Sequence, residues 1–122
     1  MSHKFPLAYD SWDHEELEAI SQVVKDRFFT MSTKVKKFEE EFSNYIGSKY
    51  SIMVNSGSSA NLLMVASLFY TKDHKKRLKR GDEVIVPAVS WSTSYYPLYQ
   101  YGLKIKFVDI DIETLNYDLK QL

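Results

Sequence analysis

The residue types best suited to chemistry in this chain are concentrated in Val54-Asn55-Ser56-Gly57-Ser58-Ser59-Ala60-Asn61. The apolar run before it, Tyr50 to Val54, predicts a strand, and the run after it, Leu62 to Phe69, predicts a helix. A glycine at that corner lets the backbone turn left-handed without steric cost. Serine hydroxyls and unpaired backbone N–H groups then meet at a helix start, where the macrodipole favours negative charge. The chemistry on offer is phosphate binding. The same residues also suit plain helix capping by Ser58 or Ser59. The stretch is neither a Walker loop, since it lacks the lysine, nor G-x-G-x-x-G.

A second corner follows Glu83-Val84-Ile85-Val86-Pro87, a short β-branched strand stopped by proline. Its loop, Ala88 to Thr93, carries Trp91, whose indole can stack on a flat ring or simply pack under the loop. In an open α/β sheet, ligands sit beyond the carboxyl ends of the strands. Both corners lie there, so Ser58 and Trp91 can face one ligand. A phosphate at the helix start and an indole over a ring suit a phosphorylated aromatic cofactor.

The remaining elements must position those corners. Residues 3–12 read as an irregular arm, with Pro6 blocking early helix. Ser11 or Asp13 can cap the first helix, Asp13 and Glu16 having the spacing of a capping box, and Leu17, Ile20, Val23 and Val24 share one helical face. Phe28 and Phe29 read as a hydrophobic plug between helices. Thr30 or Ser32 caps a second helix with Val35, Phe38, Phe42, Tyr45 and Ile46 on one stripe, ending at Gly47. Lys34, Lys36 and Lys37 with Glu39, Glu40 and Glu41 form its wet face. The helix after Gly57 is apolar nearly all round, which predicts burial. Residues 71–80 hold six basic residues and read as a solvated loop. Ser92 or Thr93 caps a helix ending at Gly102, with Pro97 near its first turn. Leu103, Ile105 and Phe107 alternate with lysines in a further strand, and Asp118 caps a helix over Leu119 to Leu122.

This order, two helices and then strand–helix–strand–helix–strand, predicts an α/β fold with a three-layer αβα arrangement and an incomplete sheet. Residues 1–48 form the arm and two helices, and 49–122 the first βαβαβ part of a ligand-binding domain. Three strands and a one-turn helix look unfinished and leave a raw edge prone to aggregation, so the chain reads as the N-terminal part of a longer protein.

Composition narrows the classes. Hydrophobic residues make up 44% and charged residues 26% of the 122, as in ordinary globular proteins. Lys+Arg and Asp+Glu are both 16, which argues against a dedicated nucleic-acid binder. With no cysteine there is no disulfide, thiolate metal site or cysteine nucleophile. The start lacks a signal-peptide core and no apolar run reaches membrane-spanning length, so a cytoplasmic protein without membrane contact is expected.

Three blocks in order carry a resemblance: Ser56-Gly57-Ser58-Ser59-Ala60-Asn61, Gly81-Asp82-Glu83-Val84-Ile85-Val86-Pro87 and Phe107-Val108-Asp109-Ile110-Asp111. Together they resemble the DegT/DnrJ/EryC1/StrS family of pyridoxal-phosphate (PLP) enzymes acting on nucleotide-linked keto sugars. The resemblance implies the large domain of type I aminotransferases, the aspartate aminotransferase-like fold. It implies Gly57 and Ser58 on the PLP phosphate, Ser59 adding a backbone contact, and Trp91 stacked on the pyridine ring. The loop from Pro87 to Pro97 resembles the branch that removes the 3-hydroxyl of 4-keto-6-deoxy sugars with the pyridoxamine form of the cofactor, and sugar aminotransferases are the alternative. Either would serve lipopolysaccharide O-antigen sugars and act as a homodimer. The resemblance places the carboxylate facing the pyridine nitrogen, and the lysine or histidine that decides the chemistry, beyond residue 122. His3, His14 and His74 are assigned no such role, and His74 reads as solvated. Two further readings are a non-catalytic remnant and a generic phosphate-binding α/β module in which Trp91 is purely structural.

Overall fold

The computed structural model describes residues 8–122, so His3, Pro6 and the first part of the expected arm lie outside the described residues. The chain divides into two compact units between Met53 and Val54, where the sequence places a boundary at 48/49.

In the first unit, α1 spans His14–Asp26 and α2 spans Thr33–Ile46. The capping box forms as expected: the Asp13 carboxylate accepts from the Glu15 N–H at 2.8 Å, and Glu16 accepts from the Asp13 N–H at 2.9 Å. Of the two cap candidates for α2, Ser32 is used, its Oγ accepting from the Lys34 N–H at 3.3 Å. Gly47 ends α2 at φ 72°, where a side chain would be strained. Lys36–Glu40 and Lys37–Glu41 pair along the wet face at 3.9 and 3.6 Å. The apolar stripes remain exposed, with Phe38 and Phe42 stacked on each other at 5.6 Å.

Two expectations fail here. Phe28 and Phe29 form no plug, since both are exposed. Tyr50 to Val54 forms no strand, because no described segment pairs with it; the Met53 N–H donates instead to Glu39 Oε1 at 2.8 Å. A strand exists only through a neighbour's hydrogen bonds, whatever its side chains prefer.

The second unit holds α3 (Gly57–Tyr70), β1 (Glu83–Pro87), α4 (Tyr96–Gln100) and β2 (Lys104–Val108), followed by the short β3 (Ile110–Asp111) and β4 (Asn116–Tyr117). β1 and β2 pair in parallel, in register from Glu83–Lys104 to Pro87–Val108. The connection between them is a 3-10 turn, Ser92–Ser94, and then α4, with Pro97 in its first turn as expected. The core is small: Val65 of α3, Val86 of β1, Leu103 and Val108 are buried. Near it, Phe69 meets Tyr101 at 4.9 Å, and Tyr95 sets its edge on Phe107 at 5.3 Å.

The sequence misread α3 as buried all round. Val65 is its buried residue, while Leu63, Met64 and Leu68 are exposed. It packs on α4 and the 3-10 turn, which cover one side. Beyond its end, the basic loop is partly tied down. Leu78 N–H donates to Leu68 O at 3.1 Å, and two guanidinium nitrogens of Arg77 donate to Thr71 O at 3.0 and 2.7 Å. His74 is exposed, as expected.

The end of the chain also departs from expectation. β3 and β4 are antiparallel around a turn in which Asp111 Oδ1 accepts from Glu113 and Thr114. Asp118 caps no helix: Leu119 to Gln121 form a turn, with Gln121 N–H donating to Asp118 O at 3.0 Å. Among the described residues no helix is long and apolar enough to cross a membrane.

The glycines separate by conformation. Gly102 has φ 78°, and a Cβ there would stand 3.0 Å from Arg80 Nη1. Gly57 is an ordinary first helical residue without positive φ, contrary to the left-handed turn expected of it, and an added Cβ would meet nothing within 4 Å. Gly102→Ala is therefore expected to lower stability by about 1–2 kcal/mol, while Gly57→Ala leaves stability equal or slightly raised. Urea unfolding of the two variants beside the parent checks this.

Candidate functional site

The head of α3 settles the capping question in favour of a residue not proposed from sequence. Ser56 is the N-cap, with extended backbone (φ −162°, ψ 160°). Its Oγ accepts from the Ser59 N–H at 3.2 Å and lies 3.2 Å from Ser59 Oγ, to which it donates. Ser59 Oγ in turn donates to Asn55 Oδ1 at 2.7 Å. The helical ladder begins with Ala60 N–H donating to Ser56 O at 3.0 Å.

This arrangement spends Ser59 and spares Ser58. The Ser59 N–H and hydroxyl are both committed to the cap, so the extra backbone donor expected of Ser59 is already engaged. The N–H groups of Gly57 and Ser58 stand in the first turn, where no helical acceptor exists. The Ser58 hydroxyl takes part in no hydrogen bond among the described residues. Three donors thus stand at the positive end of a 14-residue helix. They fit an anion such as a phosphate.

Beside them is a cavity of about 220 Å³ lined by Ser58, Ser59, Leu62, Thr93, Tyr96 and Gln100, with Pro97. Gly57 and Trp91 are not on its wall. Trp91 opens the 3-10 turn and is 76% exposed, so its indole face is free to cover a flat ring and is not packed under the loop. The turn is tied to α3 through Asn61, whose Nδ2 donates to Thr93 O at 3.1 Å. Sequence reasoning missed Asn61 and Tyr96. An amide directly before an apolar run was the available signal for Asn61, since a half-buried amide needs a partner. A larger cavity of about 430 Å³ lies in the first unit among Lys36, Glu39, Ser43, Asn44, Lys49 and Tyr50. Its lining mixes charges of both signs. Among the described residues no group of histidines and carboxylates stands close enough to hold a metal ion.

Residues 10–122 match the DegT/DnrJ/EryC1/StrS aminotransferase family. The chain belongs to that family. It is 61% identical over 118 residues to the GDP-4-keto-6-deoxy-D-mannose 3-dehydratase of Yersinia pseudotuberculosis, a match spanning 97% of this chain and 30% of that protein. It is 38% identical over 104 residues to the lipopolysaccharide biosynthesis protein RfbH of Salmonella typhimurium, spanning 85% of this chain and 24% of the relative. Among solved structures it superposes with a TM-score of 0.86 and 60% identity on the E. coli GDP-4-keto-6-deoxy-D-mannose-3-dehydratase with bound hydrated PLP. That superposition covers 96% of this chain and 30% of the enzyme. The fold is therefore the corresponding part of the PLP-dependent aminotransferase fold, with α3, β1, α4 and β2 as its described αβ layers.

The division of labour between the serines is testable. Ser56→Ala removes the cap and is expected to cost about 1 kcal/mol, with faster amide exchange at Ser59. Ser58→Ala is expected to change stability by less than about 0.5 kcal/mol. Amide exchange and urea unfolding distinguish the two.

Proposed function

We propose that this chain carries the phosphate seat and ring-stacking part of a PLP-dependent enzyme that removes the 3-hydroxyl from a GDP-linked 4-keto-6-deoxy sugar. The observation that carries the reading is the set of unengaged donors at the head of α3, on Gly57 and Ser58, in a chain 61% identical to a 3-dehydratase of that kind. Gly57 and Ser58 would hold the phosphate through their N–H groups and the Ser58 hydroxyl. Ser59 contributes by fixing the cap, so that the donors keep their direction. Trp91 would cover one face of the pyridine ring and exclude water from it. When bound, PLP supplies an electron sink for bond breaking next to the sugar carbonyl. The acid/base step is assigned to neither His14 nor His74, both exposed.

The same reading places the protein in the cytoplasm, as a homodimer, supplying sugars for lipopolysaccharide O-antigen. Sugar transamination is the second reading, favoured by the family's wider membership. The chain spans about 30% of the dehydratase it resembles, so the reaction belongs to the proposal and not to the residues described.

The binding half is tested on a Trp12→Phe chain, in which Trp91 is the remaining indole. PLP is expected to quench Trp91 fluorescence, and pyridoxal, which lacks the phosphate, to do so far more weakly. Ser58→Ala should weaken PLP about tenfold, the size of a charged hydrogen bond. Equal affinity for PLP and pyridoxal would remove the phosphate seat. For the reaction, the protein expressed from its gene is incubated with PLP, L-glutamate as amino donor and GDP-4-keto-6-deoxymannose. A product lacking the 3-hydroxyl supports dehydration; a 4-amino sugar transfers the assignment to transamination.

A further inference from the structure

Trp91 is exposed, so contacts of its own side chain do not fix where it stands. Its place is set by the backbone. At the start of the loop, Ala88 N–H donates to Val108 O at 2.8 Å, extending the β1–β2 pairing by one bond. At its end, Ser94 N–H donates to Trp91 O at 2.9 Å and Tyr95 N–H to Ser92 O at 3.0 Å, so residues 91–95 form one tight turn. Ser90 and Ser94 hydroxyls stand 3.0 Å apart across its mouth. These bonds shape the loop internally and against β2. Its side-chain tie to α3 is the bond from Asn61 Nδ2 to Thr93 O, 3.1 Å long, part-buried and bridging 32 positions of sequence.

Asn61 lies four residues after Gly57, about one helical turn or roughly 6 Å along α3 from the free donors. One rigid element therefore carries both the anion seat and the peg that holds the Trp91 turn. We propose that Asn61 is a positioning residue: its amide sets the span between the phosphate seat at Gly57–Ser58 and the Trp91 indole, and so selects a ligand that bears both a phosphate and a flat ring. The proposal rests on the PLP reading above for the identity of that ligand. The tether itself does not depend on that reading. An aliphatic residue would fill the same helix position at no cost in helix propensity, and a half-buried amide is stabilising there only when bonded.

The test uses the Trp12→Phe chain with Asn61→Ala and, separately, Asn61→Asp, which keeps the shape but replaces the donor with an acceptor. Three quantities are read: steady-state anisotropy of Trp91, affinity for PLP, and affinity for inorganic phosphate measured by competition. In both variants Trp91 anisotropy is expected to fall. PLP affinity should drop about tenfold, as for one lost hydrogen bond, with inorganic phosphate altered less than about twofold. Unchanged anisotropy in both variants overturns the proposal. So does a parallel loss of PLP and phosphate, which would make Asn61 a support of the helix head alone. If the parent chain takes up no PLP, the cofactor reading falls, and anisotropy by itself then decides the tether, an unchanged value overturning it.

Discussion

A helix cannot satisfy its own first N–H groups, and the second unit is arranged around how α3 meets that constraint. Ser56 takes up the third N–H of the helix, and the Ser59 hydroxyl is locked to Asn55 behind it. What remains is a small, directional set of donors on two adjacent residues. Had Ser58 been the cap, its hydroxyl would have been consumed by the backbone and the helix head would offer less to an anion. The sequence Ser-Gly-Ser-Ser thus divides one residue type in two, committing the outer serines to the cap and leaving the inner hydroxyl unengaged.

The parallel pair β1–β2 provides the second fixed reference. Its register continues past Pro87 through the Ala88–Val108 bond, so the loop bearing Trp91 leaves the sheet in a defined direction. Gly102 makes the return possible: its positive φ closes the α4–β2 corner, where its carbonyl accepts from Gly81 N–H at 2.8 Å. Two anchors, sheet and helix, therefore hold the loop. An exposed aromatic becomes a placed surface in that way, with little packing of its own.

Local capping chemistry was legible in the sequence because it depends on neighbours within four residues. The Asp13–Glu16 box, Gly47 and the lysine–glutamate pairs all form as read. The parts that depend on distant partners were not. Tyr50 to Val54 has strand-like side chains but no bonding neighbour, and α3 has core-like composition but cover on one side only. Gly57 was assigned a left-handed turn because glycine permits one; the backbone there needed only an ordinary helical start. Within the site, hydroxyls and an indole were visible as chemistry, whereas Asn61 was overlooked because its role is to hold a backbone carbonyl 32 residues away.

The tied basic loop gives α3 a second electrostatic end. Arg77 closes on Thr71 O just past the last turn, setting a guanidinium where the helix's carbonyls concentrate negative charge, opposite the end that carries the unpaired N–H groups. The helix then behaves as a short electrical rod, terminated by a permanent cation at one pole and by unpaired N–H donors at the other. Mobile ions screen both poles over about 8 Å at physiological ionic strength. Salt thus acts on the rod as a whole, weakening the field at its tail and at its head in the same step.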